Sequence, residues 1–259
     1  MTTTPQVLVH DNAEALAAAG AARLVTTVLD TQAARGSASI ALTGGGIGIA
    51  VLAELARSAA AQAVDWDRLD IFWGDDRFVP AGDAERNEKQ AREALLDHVP
   101  ADPRRIHAMP PSDGEFAGDP DAAAEWYERR IRGHGRTGGA ETARGGTGWF
   151  DVVLLGVGGE GHVASIFPES PAVRETERLV VAVRDCPKPP PTRISLSLPA
   201  IRSATEVWVI ASGAGKADVL ADAYAGAPES RMPVAGACGR AHTRWLLDRD
   251  AAAGLPRSE

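Results

Sequence analysis

The strongest candidate for chemistry is a histidine on a glycine-rich loop. Four glycines in six residues precede His162 within the segment Gly156–Pro168, which directly follows the apolar run Asp151–Leu155. Such a loop leaves an imidazole accessible to solvent, and the ordinary histidine pKa of about 6.5 suits proton transfer near neutral pH. The other five histidines stand in polar or helical contexts typical of surface or packing residues. We therefore predict that His162 is a general base.

A second glycine-rich segment, Thr43–Gly48, lies between a predicted strand and a predicted helix. Glycines let backbone N–H groups approach an anion, and a helix N-terminus adds a favourable dipole. A tight turn with close helix packing is the alternative. The segment lacks the third glycine of a dinucleotide fingerprint, and no P-loop lysine follows it. The function we favour is binding of a small-molecule phosphate by Thr43, Gly44, Gly45 and Gly46.

Two carboxylates and a guanidinium end a strongly apolar strand at Asp75, Asp76 and Arg77. Groups of this kind can hold hydroxyls and an anion together. A surface salt-bridge cluster of little energetic weight is the alternative. The position directly after a strand favours a functional role.

Further cations stand beside a strand end or a helix start. Lys188 and Arg193 belong to the proline-rich segment that joins two predicted strands, and Lys216 opens a predicted helix. A positive charge at a helix start opposes the helix dipole, and a bound anion would offset that effect. The alternative for Lys216 is a solvated lysine whose small penalty is tolerated.

The elements that position these residues are short, nearly continuous apolar runs, which predict strands covered on both faces. The predicted strands are Gln6–His10, Ala38–Thr43, Leu69–Trp73, Asp151–Gly156, Leu179–Val183, Ile194–Leu198 and Val207–Ala211. Asp11 and Glu14 resemble a capping box that opens a helix to about Leu29. Further helices are predicted at Ile47–Ala61, Glu85–His98, Pro120–Arg132 and Gly215–Tyr224.

This alternation predicts an α/β fold with a mainly parallel sheet sandwiched by helices in three layers. Ligands of such sheets bind outside the carboxyl ends of the strands, where the candidate segments stand. The segment Gly133–Gly148 lacks apolar periodicity, and we predict a mobile loop within a single domain of residues 1–259, with a domain boundary as the alternative. Pro187–Pro191 is predicted to be an extended, rigid loop.

Composition excludes several classes of protein. The chain has 259 residues, of which 44% are hydrophobic and 24% are charged, as in ordinary globular proteins. Its net charge of −8 argues against nucleic-acid and anionic-membrane partners. The sequence contains neither a signal-peptide pattern nor a membrane-spanning apolar run. Cys186 and Cys238 predict thiols of a reducing compartment, with a disulfide as the alternative. We expect a cytoplasmic monomer.

Three segments, in order, resemble those of the 6-phosphogluconolactonases. Gly156–Pro168 is similar to that family's G-x-G-x-D-G-H-x-A-S-L-F-P, Phe72–Pro80 to its G-D-E-R-x-V-P, and Pro187–Leu198 to its P-K-P-P-x-R-x-T-L-T. The similarity runs from about Ala38 to Leu247. It implies the sugar-phosphate isomerase/deaminase-like fold. It also implies hydrolysis of 6-phospho-D-glucono-1,5-lactone to 6-phosphogluconate in the oxidative pentose phosphate pathway, without a metal or organic cofactor.

The resemblance also implies site residues. It makes His162 catalytic, with Glu160 as the acid that orients the imidazole and Asp75 near the sugar. It places phosphate and hydroxyl contacts on Gly44, Gly45, Arg77, Arg193 and Lys216, and the matching lysine of the proline-rich segment is Lys188. The chain departs from the family by T-G-G-G-I-G in place of S-G-G-S-T-P, by Glu160 in place of Asp, and by Asp76 in place of Glu.

Two other functions are compatible with parts of this sequence pattern. Glucosamine-6-phosphate deaminases have a related fold and carry a glutamate five residues after the histidine, which they use in ring opening. This chain has Phe167 there, which disfavours amino-sugar chemistry. A non-catalytic sugar-phosphate sensor would keep the phosphate loop but would not need the histidine. Retention of His162 favours an enzyme.

Overall fold

The computed structural model describes residues 4–137 and 148–256. Helices and strands alternate through most of these ranges. The strands are β1 Gln6–His10, β2 Ala38–Leu42, β3 Leu69–Trp73, β4 Asp75–Arg77, β5 Val152–Gly156, β6 Val180–Val183, β7 Arg193–Leu196, β8 Glu206–Ala211 and β9 His242–Asp248. The α-helices are α1 Ala13–Arg35, α2 Gly46–Arg57, α3 Asn87–Ala94, α4 Pro120–Thr137, α5 Leu198–Arg202 and α6 Ala217–Tyr224.

The main sheet has six parallel strands in the order β1-β9-β8-β5-β2-β3. Every residue of β2 and of β3 is buried, as expected for strands covered on both faces. Helix α1 packs against α2 and against β9. The predicted α/β fold with a mainly parallel sheet and covering helices is confirmed.

The direction in which the chain crosses the main sheet reverses between β2 and β5. From β2 the chain continues outward to β3, whereas from β5 it continues the other way to β8 and then β9. Connections that leave in opposite directions open a crevice at the carboxyl ends of the two strands, and open α/β sheets bind their ligands there. The topology therefore indicates a site at the ends of β2 and β5.

Two predicted strands lie outside the main sheet. Strands β6 and β7, predicted as Leu179–Val183 and Ile194–Leu198, form a separate antiparallel sheet with β4 in the order β4-β7-β6. Strand β4 was not predicted because three polar residues give no periodic signal. Strand β9 was not predicted either, since its first residues, His242–Arg244, are mostly polar. The small sheet carries Asp75–Arg77 to the end of the main sheet.

Several helix boundaries differ from the prediction. Asn12, not Asp11, caps α1, because its side chain accepts a hydrogen bond from the N–H of Ala15 at 2.9 Å. The helix continues past Leu29, since no breaker occurs before Gly36, which ends it with a φ of 80°. The prediction of one helix over Ile47–Ala61 was too long, because α2 ends at Arg57 and a short 3-10 helix, Ala59–Ala63, follows.

Two predicted loops also differ. Gly133–Thr137, predicted as part of a mobile loop, form the end of α4, and residues 138–147 of that predicted loop lie outside the described residues. The segment Pro187–Pro191 is bent, not extended. The backbone N–H of Cys186 donates to the carbonyl of Pro191 at 3.0 Å, which closes this loop between β6 and β7.

Two further predictions concern cysteines and membranes. Both cysteines, Cys186 and Cys238, are free thiols, so the disulfide alternative is wrong. Within residues 4–137 and 148–256, no helix has the length and apolar character that crossing a membrane requires.

A buried hydroxyl fixes the end of β3, from which Asp75 follows. Tyr127 on α4 is fully buried, and its hydroxyl accepts a hydrogen bond from the N–H of Trp73 at 2.9 Å. We expect Tyr127→Phe to lower the free energy of unfolding by about 1–3 kcal/mol, because a buried N–H then loses its acceptor. Denaturant unfolding measures this change. The matched control, Tyr224→Phe, should change stability by less than about 0.5 kcal/mol, and equal losses in both variants would contradict the assignment.

Candidate active site

A cavity of about 200 Å³ lies at the crevice between β2 and β5. Nine of the predicted site residues line it, namely Thr43, Gly44, Gly45, Asp75, Arg77, His162, Lys188, Arg193 and Lys216. The remaining two do not. Gly46 begins α2, and Glu160 lies next to Nδ1 of His162. The structure thus brings residues from four strand ends and the proline-rich loop to one place.

The glycine-rich loop Thr43–Gly48 leads from β2 into α2. The N–H of Gly156, at the end of β5, donates to the hydroxyl of Thr43 at 3.1 Å, which ties the two loops together. No side chain among the described residues caps the first turn of α2. The helix begins directly after Gly45, which lines the cavity, and a helix start that has no side-chain cap suits an anion.

His162 is mostly buried and packs against an aromatic ring. Its centroid lies 4.4 Å from that of Phe167. Burial lowers the pKa of His162 below its usual value, the carboxylate of Glu160 opposes this, and the ammonium of Lys188 adds to it. The lowered pKa favours the neutral imidazole at neutral pH, which is the form that can accept a proton.

Glu160 connects His162 to Lys188. One carboxylate oxygen lies 3.1 Å from Nδ1 of His162, an ion-pair distance without hydrogen-bond alignment, and the other accepts from Nζ of Lys188 at 2.8 Å. Burial alone would raise the pKa of Glu160, but the hydrogen bond from Lys188 and the nearby imidazole lower it overall. Glu160 is therefore ionised beside the imidazole.

Glycine at 158 makes this approach possible. A Cβ on that residue would overlap Nδ1 of His162 and would come within 2.7 Å of Oε2 of Glu160. The backbone N–H of Gly158 donates to the carbonyl of His162 at 2.9 Å, so this amide already has an acceptor.

Asp75 is held by two residues that sequence reasoning missed. The hydroxyl of Ser165 donates to one carboxylate oxygen at 2.6 Å, and the amide of Asn87 donates to the other at 3.2 Å. Ser165 stands in the family-like segment that contains His162, so its presence there was a usable signal. Asn87 follows Arg77 by ten residues at the start of α3, and no spacing pattern connects it to the cavity.

Asp76 does not join the cavity, contrary to the prediction that it grips a ligand with Asp75 and Arg77. It is buried 3.2 Å from the guanidinium of Arg86 and accepts the backbone N–H of Asn87 at 2.7 Å. Burial raises the pKa of Asp76 to about 6, against the lowering effect of Arg86. Successive residues of a strand face opposite sides, which explains why the side chain of Asp76 points away from those of Asp75 and Arg77.

The cations of the cavity differ in their partners. Among the described residues, Arg77, Arg193 and Lys216 form no ion pair with a carboxylate, whereas Lys188 pairs with Glu160. Arg193 donates to the backbone carbonyls of Lys188 and Pro190, at 3.0 and 3.2 Å, and so holds the proline-rich loop. Burial lowers the pKa of Lys216, and Lys188 lowers it further. An anionic ligand would compensate these charges.

A larger groove, of about 890 Å³, runs along α1 at the opposite end of the main sheet. Its arginines include Arg35 and Arg244, which are paired with Asp151 and Glu206. Because these two charges are already compensated and the described residues that line the groove include no histidine, we assign the chemistry to the smaller cavity.

One group in the described ranges has the spacing of metal ligands, namely Asp70, His107 and His134. It lies near the amino end of β3, away from the cavity. Nε2 of His107 is 2.8 Å from Asp70, whose other oxygen accepts from Arg105 at 2.5 Å, and Nδ1 of His107 accepts from Arg130 at 3.0 Å. Two guanidinium groups thus bond Asp70 and His107 through their remaining polar atoms, and their positive charge opposes a metal cation nearby, so we interpret the cluster as structural.

Comparison with known proteins adds independent findings. Residues 11–245 match the family model described as glucosamine-6-phosphate isomerases/6-phosphogluconolactonase. The chain is 55% identical to the 6-phosphogluconolactonase of Streptomyces coelicolor, over 100% of this chain and 97% of that protein. It is 52% identical to that of Mycobacterium tuberculosis, over 96% and 97%.

Solved structures show the same fold. A 6-phosphogluconolactonase from Trypanosoma cruzi superimposes with a TM-score of 0.83, covering 99% of both chains at 28% identity. A monomeric glucosamine-6-phosphate deaminase gives a TM-score of 0.77 at 17% identity, over 96% of this chain and 99% of that one, which establishes a likeness of fold alone.

Gly44 provides a test of how the glycine-rich loop Thr43–Gly48 is packed. A Cβ on residue 44 would overlap the side chain of Asn87, which several hydrogen bonds hold in place, whereas a Cβ on Gly46 would meet nothing within 4 Å. We expect Gly44→Ala to lower the free energy of unfolding by about 1–3 kcal/mol through overpacking. The control, Gly46→Ala, should leave it unchanged or raise it by up to about 1 kcal/mol. Similar losses in both variants would contradict the close contact.

Proposed function

The chain belongs to the family of glucosamine-6-phosphate isomerases and 6-phosphogluconolactonases and is an enzyme of the 6-phosphogluconolactonase type, and on that premise we propose that it hydrolyses 6-phospho-D-glucono-1,5-lactone with His162 as the general base. One observation carries the proposal. A mostly buried imidazole with a lowered pKa shares a small cavity with three cations that have no carboxylate partner within residues 4–137 and 148–256. This arrangement suits an anionic substrate attacked by water.

We assign the phosphate and the sugar hydroxyls of the substrate to two different regions of the cavity. The N–H groups at the start of α2 receive the 6-phosphate, with Arg193 and Lys216 supplying positive charge. Asp75, whose position Ser165 and Asn87 fix, accepts hydrogen bonds from sugar hydroxyls. Arg77 lies two residues after Asp75 on β4 and opposite Arg193 on β7, and it contributes a third cation.

The water attack depends on which imidazole nitrogen carries the proton. Glu160 is ionised next to Nδ1 and favours a proton on that atom, which leaves Nε2 basic. Nε2 takes a proton from water as the water oxygen bonds to C1 of the lactone. The negative charge that develops on the carbonyl oxygen needs a donor. The N–H of Gly159 is the candidate, since the amide of Gly158 is already used.

Ring opening completes the reaction. The tetrahedral intermediate collapses, the bond between C1 and the ring oxygen breaks, and the imidazolium of His162 returns its proton to that oxygen. The product is a carboxylic acid, which loses its proton to solvent at neutral pH. His162 both accepts and returns the proton, and we propose no role for a metal or an organic cofactor.

The nature of residue 167 favours this reaction over deamination. Phe167 packs at a tilt of 36° against the imidazole, and its ring centroid lies 5.7 Å from the guanidinium of Arg193, so an apolar ring occupies the place of the deaminase glutamate. We also propose that residues 1–259 act as one domain, as a monomer in the cytoplasm, a setting which the free thiols of Cys186 and Cys238 favour.

His162→Ala tests the base directly. We expect kcat for the phosphorylated lactone to fall by about 10²–10⁴, because general-base assistance is lost. The measurement is titration of released acid, corrected for spontaneous hydrolysis. His242→Ala is the matched control, since His242 is exposed at the start of β9. Near-full activity of His162→Ala would exclude the base assignment while leaving lactone hydrolysis itself intact.

The pH profile tests the charges around the imidazole. Glu160 raises the pKa of His162 and Lys188 lowers it. Activity needs the neutral imidazole and is lost as pH falls through that pKa. Glu160→Gln should therefore move the acid limb of kcat/KM to lower pH, and Lys188→Gln should move it to higher pH.

Profiles of kcat/KM recorded from about pH 5 to 8 would reveal both shifts. Lys89→Gln serves as the control, because Lys89 pairs with Glu93 on the exposed surface of α3. Movement of the limb in the same direction for both cavity variants would refute the electrostatic assignment.

A further inference from the structure

Asp75 and Arg77 line one cavity without forming an ion pair with each other. They are two residues apart on β4, and alternate residues of a strand share a face. A carboxylate and a guanidinium so placed would ordinarily pair directly. The described residues include no ion pair of Arg77, although its neighbours Arg86 and Arg92 both have acidic partners. Another group must therefore separate the carboxylate of Asp75 from the guanidinium of Arg77.

The side chain of Asn87 stands between them. Its amide nitrogen donates to the backbone carbonyl of Asp75 at 2.8 Å and to the carboxylate at 3.2 Å. Its amide oxygen accepts a hydrogen bond from Nη1 of Arg77. A neutral amide has both a donor and an acceptor, so it satisfies an anion and a cation together without adding charge of its own. Aspartate in its place would pair with Arg77 and repel Asp75.

Asn87 is fixed from several directions. Only 2% of its surface is exposed, and its backbone N–H donates to Asp76 at 2.7 Å. Gly44 lies directly against it on the cavity side. Among the described residues, the side chain of Arg77 forms one hydrogen bond, which goes to the amide oxygen of Asn87, and its buried Nε has no acceptor. Among the described residues no carboxylate pairs with the guanidinium, which therefore keeps its charge for a ligand of the cavity.

We propose that Asn87 is a positioning residue that acts through Arg77, holding the guanidinium in the cavity while leaving its charge free for the anionic substrate. This inference rests on the proposed lactonase function. Without Asn87, Arg77 pairs with Asp75, and both groups are withdrawn from the substrate.

A double-mutant cycle tests the proposal. The probe is 6-phosphogluconate, the reaction product, whose dissociation constant is measured by calorimetry without any turnover. Asn87→Ala should weaken its binding by about tenfold in the native background, as expected when a charged contact is lost. In an Arg77→Met background the same change should alter the dissociation constant by less than about twofold, because coupled residues are not additive.

A purely structural role would give a different pattern. Equal weakening in both backgrounds, or no weakening in either, would overturn the proposal. A kcat loss that persists undiminished in the Arg77→Met background would overturn it too, because Asn87 would then act through Asp75. If Asn87→Ala does not fold, Asn87→Ser replaces it in both backgrounds, since serine retains a donor and an acceptor on a shorter side chain.

Two controls separate this inference from its premise. Asn12→Ala removes the cap of α1 and costs about 1 kcal/mol of stability, yet it should leave the dissociation constant unchanged. If the unmodified protein neither hydrolyses the lactone nor binds 6-phosphogluconate, the proposed function is wrong. If it does both and the cycle is additive, only the inference about Asn87 is wrong.

Discussion

The parallel pairing of β2 with β5 is the constraint on which the site depends. The two strands meet at Ile40 and Ala41, and their connections then leave in opposite directions. Their carboxyl ends therefore carry two separate loops across one crevice, one with amides for an anion and one with a histidine. The hydrogen bond from Gly156 to Thr43 holds these loops side by side. Neither loop could form the cavity alone.

Charge is distributed unevenly through the protein. Away from the cavity, several arginines have acidic partners, as Arg35 has Asp151 and Arg244 has Glu206. Inside the cavity the opposite holds, because Arg77 and Lys216 are without such partners among the described residues. Burying positive charge in this way costs folding free energy, and the phosphate of the proposed substrate would offset that cost. The site is thus locally cationic on a chain whose net charge is −8.

Local sequence patterns were sufficient for much of the fold and for most of the cavity. Strands β1 and β3 have the predicted ends, and nine predicted residues line the cavity because each follows a strand end or stands in the proline-rich loop. Contacts between distant segments were not predictable. Nothing near Asn87 in the sequence relates it to Arg77, and the pairing of Glu160 with Lys188 joins two loops 28 residues apart. The three-residue strand β4 is too short for periodicity, so the inward turn of Asp76 had no signal either.

The contact between Gly44 and Asn87 has an evolutionary consequence. Any side chain at position 44 collides with the asparagine, and any shrinkage at position 87 frees Arg77 to pair with Asp75. A substitution at position 44 or at position 87 alone therefore impairs packing or substrate binding, whereas simultaneous substitution of both residues could restore the fit. The two sites should therefore show epistasis, and a lineage that changes one of them must cross a less fit intermediate. Adaptation of the phosphate loop in descendants of this enzyme is accordingly easier at Gly46, where space is open, than at Gly44.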